Sequence, residues 1–588
     1  MNNILTPDKE DLPVTESSRK SRIPVIIFWS LIACFSVWLM FRTFGYQQET
    51  GSMLVSSLIY SDFGSHLPLI RSFSWGDNFP VEYPVFPGSP IRYHYLFFLL
   101  VGMLEKAGLR IDLALNLPSI AGFMGLMFMI YLFGKNGYKD RRVGFLAVIF
   151  FLFNASLVFL DFFKKYPLSQ KTLSDIIKNQ NFICFGPWND SLISAFWNLN
   201  IFINQRHLAP ALALVLFFIY HVWFTEEKKL WHVPLWGIII GISPAFHQPS
   251  TMFFGLALLI SFIFHRERIY LALVGIVSVG VMFLTDHYIL HFIGVNTGSI
   301  LSRPWYLMAK PVTLISAFEY WFRNLGLHML LIPIGFFFSS WRMRQIWLIG
   351  LVAFVAALTY QFSLEMAANH KLMNFFLILS LPMSARAFIA LWDLAKKAVF
   401  PLSYLGRACC AVIFLLLIQG GILDFFPIYN SSYATVPNPI EVKAVNWIKE
   451  KTEPDARVMN NHFFFHPASI AGRRIFLGWP YFAWSAGYDA DKRMKIIHRI
   501  YPKGDFGQFC QLMIEYDLKY AVFREIRGDN DIPEFDLNMY TDQLAPEFLD
   551  AETKIAVYSR DRICAFSKAS SEAYRKNTID LNSRNNND

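Results

Sequence analysis

Apolar residues run along this chain in long blocks, with polar residues gathered in the gaps between them. Eleven blocks read as candidate membrane spans: 23–44, 113–133, 143–160, 208–224, 233–246, 251–264, 270–290, 311–338, 346–362, 372–391 and 408–423. A fully spanning helix takes about 20 apolar residues. A twelfth block, 93–104, is too short to settle by length alone. Loop charge decides it, because cytoplasmic loops carry an excess of Lys and Arg. If 93–104 does not cross, Arg19, Lys20 and Arg22 share the cytoplasmic side with every later basic cluster: 135–142, 228–229, 266–268, 342–344 and 396–407. If it crosses, all the later clusters change side. Residues 93–104 therefore read as a re-entrant or surface-lying helix, with the N-terminus cytoplasmic and the C-terminal region outside.

Composition agrees with an all-α polytopic membrane domain of about eleven transmembrane helices. Charged residues make up 16% of the chain and hydrophobic ones 54%, against roughly 25% charged in soluble proteins. The net charge of +9 sits in the short loops and forms no aromatic–basic stripe of the nucleic-acid kind. The first block is too long for a signal-peptide core and reads as a retained span. No internal repeat is visible, which weakens a transporter built from inverted halves. Residues 1–22 form a cytoplasmic tail, 23–423 the membrane domain with 45–112 as its first outer loop, and 424–567 a small α/β extracytoplasmic domain. Residues 568–588 read as a disordered tail. Within the outer domain, 441–451 reads as an amphipathic helix. Residues 520–524 and 554–566 read as strands, the second a hairpin turning near Arg560 and Asp561. Cys34, Cys409 and Cys410 lie in apolar blocks. Cys184, Cys510 and Cys564 lie in polar ones, where a disulfide between two of them is open, and no CxxC spacing suggests a metal.

Ten of the 14 histidines fall on outer loops or outer helix ends in this topology. An ionisable group at a span end is costly in apolar surroundings and is a functional candidate. In the first outer loop, Asp62 and His66 precede Pro68, which suits the first turn of a short helix. Asp62 is either a base, a metal ligand with His66, or a helix cap. A proline-stiffened stretch follows, holding Glu82 and then Arg92 and His94, which suit a phosphate or a lipid headgroup. The hairpin 243–250 has short flanking runs, so its tip, His247 and Gln248, should lie below the surface and line a cavity. Arg206 and His207, with His370 and Lys371, sit at other outer helix ends and could face the same cavity as phosphate-binding groups.

The arrangement resembles the GT-C superfamily of membrane glycosyltransferases. Asp62 matches the acidic residue of that family's first outer loop. The helix ending Arg71-Ser-Phe-Ser-Trp-Gly76, the proline-rich 87–95, Arg110–Ser119 and the basic turn within 133–144 match the segments that follow. The resemblance implies sugar transfer, hexosyl or pentosyl and inverting, from a polyprenyl-phosphate donor to a glycan, lipid or protein acceptor. It implies a bacterial inner membrane with the site on the outer face and Asp62 as base, and no nucleic-acid partner. Asp62 lacks the paired acidic residue of the family pattern, so a divalent cation is left open; Asp62 and His66 are its candidate ligands. A transporter or lipid flippase, and a non-catalytic assembly factor of envelope polysaccharide synthesis, are the alternative classes.

Overall fold

The computed structural model describes residues 23–183, 193, 196, 199–290, 301–302, 312–365, 369–436, 442–501, 504–526 and 534–570. Residues 1–22 and 571–588, Cys184 and Arg303 lie outside them; the expected disordered tail therefore begins within a helix, since 568–570 are helical. The chain is mostly helical. Six helices are long and apolar enough to cross a membrane: Ile23–Thr43, Ile111–Tyr138, Arg268–Tyr288, Trp341–Thr359, His370–Lys397 and Leu402–Tyr429. Shorter apolar helices cover Leu208–Phe224, His232–Phe246, Gln248–Phe264 and His328–Phe337. The 93–104 block becomes the 11-residue helix Leu96–Lys106, about 16 Å long at 1.5 Å per residue, too short to cross.

Two expected spans are broken. The 143–160 block is helical over Arg141–Leu152, turns, and resumes as the surface helix Val158–Lys165. The turn exists because Asn154 is docked on the last long helix: its Nδ2 donates to Asp424 at 3.1 Å, and its carbonyl accepts from Gly421 N at 3.0 Å. The 311–338 block is split into Leu314–Leu325 and His328–Phe337. Between them Gly326 has φ 55°, and a Cβ there would lie 1.8 Å from Ala155 O. The two breaks abut, and Leu157 N donates to Arg323 O at 2.8 Å. Irregular backbone in this region is thus enclosed by protein.

A small antiparallel sheet ties the two ends of the membrane domain together. Phe44–Tyr46 pairs with Met53–Ser56, which pairs with Tyr433–Val436 just after the last long helix. The first outer loop and the C-terminal domain are therefore on one side. The basic turns gather at the other end. Arg142 pairs with Asp140 and Asp393, both at 2.8 Å. Arg342 lies over Phe224 and Arg386 over Phe338.

The C-terminal domain holds a five-stranded sheet, in the order Arg474–Ile475, Arg457–Asn460, Tyr520–Arg524, Ile555–Ser559, Phe548–Asp550. The first three strands are parallel and the last three antiparallel. The expected helix appears over Lys443–Lys451. The expected hairpin at Arg560 does not form: after Ile555–Ser559 the chain is helical over 560–570. Ser559 Oγ accepts from Arg562 N and so starts a helix where a turn was read. Its partner in the sheet is instead Tyr520–Arg524. A disulfide joins Cys510 to Cys564, fastening that terminal helix to Phe506–Glu515.

The first outer loop is seated in this domain by close backbone approach. Gly472 has φ 85°, and a Cβ there would lie 2.7 Å from Arg71 O and 2.8 Å from Gly76 N. A Cβ on Gly76 would lie 2.2 Å from Gly472 O. Ile475 N and Gly478 N each donate at 2.8 Å to Pro84 O and Val85 O. Gly472→Ala should therefore destabilise the protein by about 2 kcal/mol or more, through both φ and contact. Thermal unfolding in detergent checks it.

Candidate active site

The first-loop helix runs Tyr60–Ser74, with Pro68 inside it. It starts about two turns earlier than Pro68 suggests, and every residue from Phe63 to Ser74 is buried. Asp62 does not cap it. The N-cap is Ile59, which makes no side-chain cap bond. Asp62 and His66 are four apart on this helix and share a face. The helix is anchored at its far end by Arg71, which pairs with Glu105 at 3.2 Å and covers the Trp75 ring at 3.3 Å. Ser74 Oγ donates to the same carboxylate at 2.7 Å.

Asp62 is half-buried. Burial raises its carboxyl to about 6, with Glu365 adding to the rise and Lys371 opposing it. His66 is held at about 3 by burial, with the Arg206 and Lys371 charges adding to the effect. Its Nε2 lies 3.4 Å from Tyr93 Oη.

Around His66 the structure gathers three more buried histidines. His94 Nε2 lies 2.7 Å from His207 Nε2. That contact admits one donor and one acceptor, so the two rings cannot both be imidazolium. The His247 ring centroid is 5.3 Å from His94 and 5.4 Å from His207. Its Nδ1 bonds Ser250 Oγ at 2.7 Å. The remaining nitrogens, Nδ1 of His66, His94 and His207 and Nε2 of His247, have no hydrogen-bond partner. Lys371, in the first turn of His370–Lys397, is the common electrostatic neighbour of Asp62, His66, His94, His207 and His247. His370 is buried and stacks on Phe196 at 5.1 Å.

Other sequence candidates lie elsewhere. Glu82 is a joint, not a ligand group: Arg457 and Arg474 each grip it at 2.7 Å. Arg92 donates to Gly487 O and lies over Tyr488, so it fastens the loop to the C-terminal domain. Arg206 turns its fork to the first span, donating to Thr43 Oγ1 at 2.7 Å and Met40 O at 3.3 Å. Gln248 is exposed while His247 beside it is fully buried, because only His247 turns inward at the hairpin. Among the described residues, no group of three or more His, Cys, Asp or Glu is arranged to hold a metal ion.

Four groups near Asp62 are not assigned to the site from sequence, although Glu365 counts among the ionisable residues of the outer side. Glu365 adds a second carboxylate, and Tyr481, from the C-terminal domain, hydrogen-bonds it. Tyr83 and Tyr93 are further electrostatic neighbours of Asp62. Glu365 stands out in sequence only as one ionisable residue among many at outer helix ends.

No protein-family model matches the chain, and no curated protein matches it. It is similar in fold to three solved structures. The oligosaccharyltransferase of Archaeoglobus fulgidus in its apo form is 14% identical, covering 87% of this chain and 70% of that one, at a TM-score of 0.48. ArnT from Cupriavidus metallidurans is 10% identical, covering 92% and 98%, at 0.47. Arabinofuranosyltransferase AftD from Mycobacteria is 10% identical, covering 90% of this chain and 40% of its own, at 0.44. All three are polytopic membrane glycosyltransferases of the GT-C superfamily. The likeness is one of general shape.

The raised carboxyl predicts a pH-dependent stability. Asp62 binds its proton more tightly folded than unfolded, so its stabilising contribution is complete below about 3.8 and is lost as pH rises through about 6. Asp62→Asn should therefore unfold at the same or a higher temperature than wild type at pH 7.5. The gain is at most about 3 kcal/mol at 1.36 kcal/mol per unit. It should vanish near pH 4, as read by thermal unfolding across pH.

Proposed function

We propose that the protein is a membrane glycosyltransferase moving a sugar from a polyprenyl-phosphate-linked donor to an acceptor hydroxyl outside the cytoplasm. The observation that carries this reading is one half-buried carboxylate, Asp62, held on a first-loop helix beside the cation Lys371 and four buried histidines. Deprotonated, Asp62 takes the acceptor's proton or orients its hydroxyl. The hydroxyl oxygen attacks the anomeric carbon, and the bond from that carbon to the phosphate oxygen breaks. The departing phosphate is met by Lys371, by His66 and by the one ring of the His94–His207 pair that carries its proton on the free Nδ1, fixed before the charge develops. A single displacement of this kind inverts the anomeric centre, whether the sugar is a hexose or a pentose.

Sidedness is supported by two features. The basic turns lie at the end away from Asp62, as a cytoplasmic face requires. The Cys510–Cys564 disulfide suits an oxidising compartment. In this reading the long and shorter apolar helices together make about eleven crossings of a bacterial inner membrane, N-terminus inside and residues 424–567 outside. The acceptor is a glycan, lipid or protein. If a divalent cation takes part, Asp62 and His66 would be its ligands. Two side chains fall short of a closed site.

Asp62→Asn should lower transfer from a radiolabelled polyprenyl-phosphate sugar by roughly 10²–10⁴. The wild-type rate should fall below pH of about 6, because the base must be ionised. Full turnover in the variant, or no acid limb in wild type, removes Asp62 from this role.

A further inference from the structure

A cavity lies where the Asp62 helix meets the C-terminal domain. It encloses about 170 Å³ and is lined by Tyr60, Phe464, Phe465, Arg524 and Thr553, with smaller apolar groups behind. Its aromatic wall is fixed. The Tyr60 ring lies 5.4 Å from Phe464 and 4.8 Å from Phe465. Phe464 stacks on Trp479 at 4.9 Å. Its ring also fills the place of a Gly64 side chain, where a Cβ would meet it at 2.5 Å. Phe465 has φ 48°, a costly conformation for an aromatic residue, of the kind kept where function requires it.

Two polar groups line this cavity. Thr553 Oγ1 is buried beside the Asp550 carboxylate, and Arg524 is exposed at its edge. The Arg524 guanidinium makes no hydrogen bond or ion pair among the described residues. Its charge acts instead on Tyr60, His462 and His466, none of them acidic. A planar fork without a protein carboxylate is suited to a carboxylate brought by a ligand.

Size and chemistry narrow the occupant. At about 30 Å³ per water the space equals roughly six waters, enough for one ring and its substituents and too small for a drug-sized ligand. Flat aromatic faces accept the apolar face of a sugar ring, while a hydroxyl and a cation meet its edge. Tyr60 is two residues from Asp62, so the two leave the helix on different sides. The cavity adjoins the carboxylate without containing it. We infer that it is an acceptor subsite holding one acidic sugar unit of a glycan, next to the unit whose hydroxyl reacts. This inference rests on the transferase reading and narrows the acceptor to an acidic glycan.

The test uses the full chain in detergent micelles, with methyl glucuronide and methyl glucoside as probes, observed by saturation-transfer NMR. The glucuronide should bind, and the glucoside should bind about tenfold more weakly or more, the loss expected for a bond to a charged group. Arg524→Gln should weaken the glucuronide to the glucoside's level, and Thr553→Val should weaken both probes. Thermal unfolding of each variant is recorded alongside; if Arg524→Gln does not fold, Thr553→Val decides. Equal binding of the two probes, or unchanged affinity in the variant that decides, overturns the subsite. Failure of the transferase reading shows separately, as full turnover in Asp62→Asn, whose glucuronide binding should equal that of wild type.

Discussion

Arg473 holds the two halves of the outer region in one piece. It is almost fully buried, at 1% exposure. Its Nη2 donates to Lys449 O and Thr452 O, its Nε to Thr452 Oγ1, and its Nη1 to Trp75 O and Ala471 O, all between 2.8 and 3.0 Å. A buried guanidinium without such partners would be severely destabilising. Here it closes the C-terminal end of Lys443–Lys451, where free carbonyls and the helix dipole favour a cation. The same side chain reaches the carbonyl at the end of the Asp62 helix. The glycine contact between Gly76 and Gly472 and the Glu82 fork repeat this joint within a few residues. Asp62 is thus positioned from behind by the C-terminal domain, although its own contacts face the membrane helices.

That placement explains the chemistry around Asp62. Burial works against both a carboxylate and an imidazolium, so the four histidines are best neutral and serve as donors and acceptors without added charge. Lys371 is then the mobile-free cation of the site, balanced by Asp62 and Glu365. Arg206, which could have made the site strongly positive, is turned away onto carbonyl and hydroxyl groups of the first span. One cation facing two ionised carboxylates leaves the empty site about one charge negative. An incoming phosphate is met there by Lys371 and by the unpaired histidine nitrogens that carry a proton, of which the His94–His207 pair supplies one.

Much of the architecture was legible in the sequence, because membrane spans and basic turns are local signals. The short helix Leu96–Lys106, the strand Tyr520–Arg524 and the nearness of His247 to His207 follow from length, alternation and charge; that His66 and His94 join them was not legible there. The breaks at Asn154 and Gly326 were not legible, because each depends on a polar or glycine contact with a distant segment, Asn154 with Gly421 and Gly326 with Ala155. Glu82 and Arg92 failed as site residues for the same reason. Both are charged residues in an outer loop, and their partners, Arg457 and Gly487, lie hundreds of positions away. Ser559 had a local signal, a hydroxyl able to cap the helix that follows, and the β-branched run before it outweighed that signal.

Tyr481 shows what the C-terminal domain adds to the membrane domain. It hydrogen-bonds Glu365 from the helix Pro480–Ser485, which follows directly on Trp479, the ring stacked on Phe464. Phe464 in turn rests on Gly64 of the Asp62 helix. One short segment therefore touches the carboxylate beside Lys371 at one end and the aromatic wall beside Tyr60 at the other. Residues 464 to 485 of the C-terminal domain thus pack against both the Asp62 site and the aromatic cavity, and close packing of this segment ties the geometry of one to the other.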